Sequence, residues 1–439
     1  MVDVSLINES YAAFKGRLSS LSPMALMRRD RLASAAASIG FPNTKNEDWR
    51  YTSLRGFLSQ EFKVPTKSEK TESVDHNFAD LDKYLIPNVM KLVFVDGVLS
   101  IALSDTRKFG SAVQIQTLFE AEGQNDNFWD DLNSVQGMQS VFSQIAVAFS
   151  DHGVLIKVSP RAEGKIIIQI VHVSTGNSKG LSRSTRNVID VQRLSNVTVF
   201  EDFVAPEGLS SHLNSLTQIV AREGSSVGYY RVDQSGKSFY STGQVTVMLE
   251  RDAKVETFSL ALGSKFNRTN IDVLYTAPGG ECLLDGLYLL NDDQIIDHHT
   301  SVDHAVPHCL TKQLYKGVLK GKSRAVFNGK VFIRRGASNT QAYQSNKNLL
   351  LSQDAEVDTK PELLIDNDDV KATHGAAVGA LNPKEVFYLQ SRGLDKEEAE
   401  AILSRGFADE VVLRVEDLEA MAILSDRVKL WYSSSATKE

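Results

Sequence analysis

The sequence has few of the features that identify several large protein classes. It has two cysteines, Cys282 and Cys309, in 439 residues. Two thiols cannot form a disulfide framework or a four-thiolate zinc or iron–sulfur site alone, and so low a count is typical of a reducing compartment. The longest run of apolar residues, around 166–171, is far shorter than the segment needed to cross a membrane.

The charge balance excludes further classes. The chain has 48 Lys and Arg residues against 55 Asp and Glu residues, which gives a net charge of −7 at pH 7. Without a long basic run it lacks the main attraction of a nucleic-acid-binding protein, which is to phosphate. The first residues, MVDVSLINESYAAFKG, are polar and acidic, unlike a signal peptide. We therefore expect a cytoplasmic protein whose partners include neither a membrane nor a nucleic acid.

Motifs for phosphate binding and for catalysis are incomplete or missing. GVLKGKS, residues 317–323, is one residue short of a P-loop, whose backbone amides ring the phosphates of a nucleotide. A P-loop should also open a helix, but the following RAVFNGKVFI predicts a strand, an Asn-Gly turn and a second strand. The G-x-S-x-G pattern of a nucleophile elbow occurs at GNSKG, residues 176–180, and at GSSVG, residues 224–228, but β-rich segments rather than a helix follow both, so no elbow is expected there. These absences favour a protein that is not an enzyme.

The N-terminal part of the chain, residues 1–90, is predicted to be a mainly helical domain. SPMALMRRDRLASAAASIG begins at Ser22 with Pro23 in the first turn and stops at Gly40, as a helix commonly does. Residues 64–80 are polar and charged, and they predict a solvated linker.

Residues 91–381 are predicted to form a β-rich core, with one helical segment near 127–150. LVFVDGVLSIAL, residues 92–103, predicts two strands joined by an Asp-Gly turn. From about residue 153, short segments rich in Val, Ile, Thr, Phe and Tyr follow one another with few helical interruptions. Such a run can form a sandwich, a barrel or a β-helix, and the sparse hairpin signals slightly favour the β-helix.

Residues 382–439 predict a C-terminal domain of three short helices. Asn382 caps the first, and Asp395 with Glu398 forms a capping-box pattern at the start of the second, which should end near Gly406. EDLEAMAILSDRVKLWY predicts the third helix. Their apolar faces need a surface to cover, either the β core or another protein.

The stretch DHHTSVDHAVPHC, residues 297–309, has the highest density of possible metal ligands. His304 and His308 are four residues apart, but Pro307 between them argues against a shared helix face. In a strand, His298 and His299 would point to opposite faces. We therefore favour histidines that bond within a β domain over a metalloprotein or metalloenzyme that uses the His298–His308 cluster, with His304 and His308 as ligands.

A different histidine, His374, stands alone among small residues. It precedes Gly375-Ala376-Ala377, and Gly379 follows closely. A lone histidine is usually structural, but this one has little neighbouring bulk to cover it. Another backbone or a cofactor could therefore approach it closely.

Several long stretches resemble one protein family. AEVDTKPELLIDNDDVKATHGAAVG, YLQSRGL and EEAEAILSRGF closely resemble the C-terminal signature of the SufD type of the SufB/SufD family, subunits of the SUF iron–sulfur cluster assembly complex. The resemblance extends to QLYKGVLKGKSRAVFNGKVFI, QSNKNLLL and the N-terminal NEDWRYTSL. It covers nearly the whole chain and is densest over 297–407.

The resemblance implies a mainly β protein with a right-handed parallel β-helix core, flanked by helical N-terminal and C-terminal domains. It implies a non-catalytic scaffold that pairs with SufB through β-helix ends, while the SufC ATPase binds the C-terminal helices. The family forms a transient iron–sulfur cluster at the SufB interface, and we expect no cofactor on this chain alone. An isolated chain could instead form a homodimer. Its few cysteines argue against the alternative that it is the SufB-type partner itself.

The resemblance also implies roles for particular residues. His374 occupies the position of the family histidine that faces a SufB cysteine and helps to ligate the nascent cluster, so it is a possible shared iron ligand. Many relatives have K-C-S-H-G there, but this chain has Ala372 and Thr373 in place of Cys and Ser. The residues expected to contact the ATPase are Pro383, Val386, Phe387, Leu389, Ile402, Leu403 and Phe407.

Overall fold

A computed structural model describes residues 4–66, 81–106, 110–124 and 126–436. Most of the chain forms β-strands, and helices occupy both ends. The strands are β1 (Met90–Val95), β2 (Val98–Asp105), β3 (Val113–Thr117), β4 (His152–Val158), β5 (Ile167–Val173), β6 (Ser182–Val191), β7 (Asn196–Val204), β8 (His212–Ala221), β9 (Ser226–Asp233), β10 (Tyr240–Leu249), β11 (Lys254–Ala261), β12 (Phe266–Tyr275), β13 (Glu281–Leu290), β14 (Ile295–His304), β15 (Leu310–Leu319), β16 (Arg324–Ile333), β17 (Thr340–Leu350), β18 (Glu356–Ile365) and β19 (Val370–Gly379). The α-helices are α1 (Val4–Phe14), α2 (Pro23–Ile39), α3 (Arg55–Leu58), α4 (Leu118–Glu122), α5 (Asp126–Ser134), α6 (Val141–Phe149), α7 (Pro383–Gln390), α8 (Lys396–Val412) and α9 (Leu418–Ala436).

The strands form two sheets that share one axis. From β4 onwards the chain alternates between a nine-stranded and a ten-stranded sheet, and each strand pairs in parallel with the strand two positions later. This is a parallel β-helix of about eight turns. The predicted mainly β fold with a β-helix core and helical ends is therefore confirmed, and the sandwich and barrel alternatives are wrong.

The two sheets enclose an interior, the lumen, that side chains fill. Successive residues of a strand point alternately into the lumen and outwards, because side chains alternate along a strand. Since neighbouring turns pair in register, lumen positions stack in columns, as Ile189, Ile219 and Val247 do in the nine-stranded sheet. The β-helix thus builds its apolar core from like positions in successive turns.

The first two strands form the predicted hairpin, but the second predicted turn does not exist. Asp96 and Gly97 join β1 to β2 with positive φ angles of 48° and 79°. By contrast, β16 continues without a break through Asn328 and Gly329, so the prediction of a turn there is wrong. The glycine provides space instead, because a Cβ atom on Gly329 would lie 2.1 Å from Nε2 of Gln344.

Helices cover the outer faces of both sheets. The N-terminal helices pack over the nine-stranded sheet, where Phe142 of α6 joins an apolar cluster with Tyr240 and Phe266. Ser22 caps α2 by accepting a hydrogen bond from the backbone N–H of Ala25, as its sequence predicts. The helical pattern near 127–150 corresponds to α5 and α6, and residues 67–80 of the predicted linker lie outside the described residues.

The C-terminal helices α8 and α9 cover the ten-stranded sheet. The predicted helix end near Gly406 is wrong, because α8 continues to Val412. Ala408 and Val411 are fully buried in an apolar cluster with Leu287 of β13. This packing outweighs the roughly 1 kcal/mol by which glycine disfavours a helix interior.

No helix in the described part of the chain is long and apolar enough to cross a membrane.

We expect the contact between α9 and the β-helix to stabilise the fold. Leu424 is 0% exposed in this apolar cluster, whereas Leu430 of the same helix is 61% exposed. Leu424→Ala should lower the free energy of unfolding in urea by about 2–5 kcal/mol, because it leaves a cavity. Leu430→Ala is the matched control and should change it by less than about 0.5 kcal/mol. Equal effects would show that α9 does not pack as described.

Candidate functional site

The two ends of the β-helix differ. At the first turns, the antiparallel strands β2 and β3 extend the two sheets beyond β1 and β4. At the last turn, among the described strands, β18 pairs only with β16, and β19 pairs only with β17. The outer edges of β18 and β19 therefore lack a pairing strand, and we call this the open end.

The open end carries exposed apolar side chains. Leu364 and Ile365 at the end of β18 are 46% and 42% exposed, and Val378 of β19 is 48% exposed. An unpaired strand edge with apolar side chains can template pairing with another chain, which proteins usually prevent. This end therefore has the properties of an interaction surface.

His374 lies on β19 at the open end, where its side chain is exposed. It shares a strand face with Ala372, which packs against the apolar core of the lumen. Ala372 is thus a lumen position. Through the strand register, His374 lies beside Gln344 of β17, a residue that the sequence did not single out.

The N-terminal NEDWRYTSL motif attaches to the outside of the nine-stranded sheet. Trp49 lies 4.2 Å from the guanidinium of Arg268 on β12, measured to the ring centroid. Thr52 donates a hydrogen bond to Asp297 of β14. Asp48 forms an ion pair with Lys330 of β16, and Glu47 with Lys360 of β18; these pairs span 2.6 and 2.7 Å. The motif therefore joins four successive turns up to the open end, a role that its sequence alone did not indicate.

The ion pairs of this motif also shift pKa values. Burial alone would raise the pKa of Asp48, but the hydrogen bond and charge of Lys330, together with the nearby His299 and Arg268, lower the pKa below its ordinary value. The hydrogen bond and charge of Lys360 lower the pKa of Glu47. Both carboxylates thus stay ionised near the last turns.

The clustered histidines of 297–309 lie in separate environments. His298 points into the lumen between the rings of Tyr288 and Tyr315, and burial lowers its pKa to about 3. His299, next in sequence, contacts Asp297 at 2.9 Å on the outer face. The two neighbouring histidines occupy opposite faces of β14, as side-chain alternation along a strand predicts.

His304 and His308, the two ligands that the metalloprotein alternative requires, also lie in different environments. His304 stacks on Tyr275 with ring centroids 4.6 Å apart, and its Nε2 bonds Thr311 at 3.0 Å. His308 lies in an exposed turn with a φ of 62°. Within the described ranges, no group of three His, Cys, Asp or Glu side chains is arranged to hold a metal ion. Nothing in this geometry favours the metalloprotein alternative.

The residues predicted to contact an ATPase differ in how exposed they are on the C-terminal helices. Phe387 of α7 is 71% exposed, and Ile402 of α8 is also exposed, as is Tyr388, which the sequence analysis did not name. Phe407 instead packs towards the β-helix, where Nζ of Lys316 lies 3.9 Å from its ring centroid. Of the others, Pro383 is exposed as the first residue of α7, and the half-buried ones are Val386, Leu389 and Leu403.

We expect His304 to make the fold sensitive to acid. Burial lowers its pKa from the ordinary 6.5 to about 4, so the unfolded chain binds the proton more readily between these values. The free energy of unfolding should fall as the pH drops from 6.5 to 4. In His304→Gln this fall should be less steep by about 1.4 kcal/mol per pH unit. A chelator should leave the pH profiles of both proteins unchanged. If His304 held a metal ion, the chelator would change the wild-type profile.

Comparison of the sequence with known proteins identifies the family of this chain. Residues 172–407 match the family model described as SUF system FeS cluster assembly, SufBD core domain. The chain is 26% identical to the iron–sulfur cluster assembly protein SufD of Escherichia coli, over 86% of each chain. It is 26% identical to a SufBD family protein of Synechocystis, over 88% of this chain and 86% of the relative. With SufD of Bacillus subtilis it shares 30% identity over 64% of this chain and 65% of the relative. The chain therefore belongs to the SufB/SufD family and has a role in iron–sulfur cluster assembly.

Proposed function

We propose that this chain is a non-catalytic scaffold subunit of a SUF complex. It pairs through its open end with a SufB-type subunit, and an iron–sulfur cluster is assembled between the two. The observation that carries this proposal is the unpaired edge of β18 and β19 with His374 beside it. Edge pairing supplies main-chain hydrogen bonds over a whole strand, while the exposed side chains provide specificity.

The cluster is the cargo of this site, and His374 contributes one ligand to it. A neutral imidazole nitrogen is a suitable ligand for iron. The remaining ligands come from the partner, because both cysteines of this chain are buried and burial raises the pKa of Cys282 and of Cys309. A site shared by two chains, with one imidazole ligand, suits a cluster that must leave again.

The ATPase subunit of the SufC type docks on the exposed surface of α7 and α8. Phe387 and Tyr388 of α7 and Ile402 of α8 are large apolar or aromatic side chains that the β-helix leaves exposed. Apolar anchors on a helix are a common way to bind a partner protein. ATP hydrolysis then belongs to the partner, which agrees with the incomplete P-loop sequence of 317–323.

A second copy of this chain is the other candidate for the open end. The same edge could pair with its own counterpart when no SufB-type partner is present, which would make the isolated chain a homodimer. Adding the partner should then convert the homodimer into the mixed complex, since both compete for β18 and β19.

We expect His374→Ala to separate assembly of the complex from assembly of the cluster. Coexpressed with its SufB-type and SufC-type partners, the variant should still form the full complex, because the alanine leaves the strand backbone unchanged. Iron and acid-labile sulfide per complex should fall several-fold after cluster reconstitution. Thr373→Ala is the matched control, since Thr373 is exposed on the other face of β19.

Two results would contradict this role. Unchanged iron and sulfide in His374→Ala would remove His374 from the cluster site. Recovery of the wild-type chain alone, under conditions where its two partners assemble without it, would refute the scaffold proposal itself.

We expect Phe387→Glu to weaken binding of the ATPase subunit by tenfold or more, because the charge would have to be buried in an apolar contact. Isothermal titration of the ATPase into the purified chain measures this. Leu418→Glu is the matched control: Leu418 is 73% exposed, but it adjoins Asp417, which contacts Lys165 and Thr198 beside the first turns. Equal loss of binding in both variants would contradict a docking surface on α7.

A further inference from the structure

Two glutamines in the lumen lead towards His374. Gln313 of β15 and Gln344 of β17 are paired in register, and His374 of β19 is the next residue in the same column. Paired positions in neighbouring parallel strands are roughly 4.8 Å apart and point to the same face. Both glutamines are about 4% exposed, whereas His374 is exposed at the open end.

The glutamine side chains form a directional hydrogen-bond ladder. Nε2 of Gln313 donates to Oγ1 of Thr300 on β14, across the lumen, at 2.7 Å. Nε2 of Gln344 donates to Oε1 of Gln313 at 2.8 Å. Each amide therefore points its NH₂ group towards the earlier turns of the β-helix, away from the open end. The last acceptor, Oε1 of Gln344, is buried and has no hydrogen-bond partner among the described residues.

The surroundings of Gln344 are built to accept its amide group. Gly329 on the opposite sheet leaves this space, since a Cβ atom there would lie 2.1 Å from Nε2 of Gln344. Thr300 at the start of the ladder is itself buried. The amide is thus enclosed by backbone on one side and by Gln313 on another, and its free oxygen lies in the last complete turn before β19.

A buried acceptor without a donor is unfavourable, and nearly all such groups find a partner in folded proteins. The imidazole ring carries an N–H donor that suits this oxygen. A histidine that ligates a metal through one nitrogen generally donates its other N–H to a carbonyl oxygen or carboxylate, which fixes its tautomer and orientation.

We propose that Gln344 is the positioning residue for His374: its Oε1 accepts a hydrogen bond from one ring N–H of His374. The other ring nitrogen then keeps its lone pair and faces the open end, where the cluster is assembled. Gln313 and Thr300 hold the Gln344 amide in this direction. This inference rests on the proposed function for the role of His374. The structure shows Oε1 of Gln344 without a partner and His374 exposed, so the hydrogen bond requires the His374 ring to turn towards the lumen, which needs no second chain.

The ring tautomer of His374 tests the hydrogen bond directly. The full-length chain is labelled with ¹⁵N-histidine, and the His374 ring signals are assigned by their loss in His374→Ala. In the wild type, one tautomer should dominate. Gln344→Met removes the acceptor while keeping a side chain of similar length, and both tautomers should then be populated.

The matched control for these variants is Gln341→Met. Gln341 lies on the same strand, but it is exposed and pairs with Lys371 rather than His374. It should leave the tautomer ratio unchanged. The inference is overturned if Gln344→Met keeps the wild-type ratio, or if Gln341→Met changes the ratio equally.

Cluster assembly in the full complex separates this inference from the proposed function. Gln344→Met should slow cluster formation by about 10-fold, as loss of a group that orients a metal ligand does. If the tautomer changes while both Gln344→Met and His374→Ala assemble clusters normally, the hydrogen bond holds and the proposed function fails. If His374→Ala loses the cluster and Gln344→Met has no effect on rate or tautomer, the proposed function holds and the positioning role fails.

Discussion

In-register parallel pairing between successive turns is the constraint on which the rest of the structure depends. Each strand satisfies its backbone groups only through the turn before and the turn after it, so the last turn necessarily has an unsatisfied side. The first turns are extended by antiparallel strands, whereas no strand in the described part of the chain extends β18 and β19. The open end is therefore a direct consequence of the fold. It is also where backbone hydrogen bonding can join this chain to another.

The same register also determines which side chains lie at the open end. Because residues in successive turns stack in columns, a polar residue in the lumen is neighboured by the equivalent residues of adjacent turns. The column through Gln313 and Gln344 reaches His374 in the last turn, where the side chain is no longer covered. Outside the β-helix, the segment around Trp49 contacts the turns from β12 to β18. The open end thus combines an unpaired strand edge and an exposed histidine, and the segment around Trp49 reaches it from outside.

Local sequence signals predicted the local structure well. The Asp-Gly hairpin, the Ser22 cap and the opposite faces of His298 and His299 follow from backbone preferences and from side-chain alternation, which a few residues determine. The errors at Gly329 and Gly406 have one cause. A glycine permits a turn or a helix end, but here packing decided otherwise: Gln344 needs the space at Gly329, and α8 buries Ala408 and Val411 beyond Gly406.

The sequence by itself determined the strand-rich core, the helical ends and the family, because these depend on composition, periodicity and long motifs. It also singled out His374 through its small neighbours and its motif. Only the tertiary structure decided that Phe407 faces the β-helix and that Gln344 lies beside His374. The physical reason is the pairing register. It brings together residues that are about one turn of the β-helix apart in sequence, and no local preference encodes that distance.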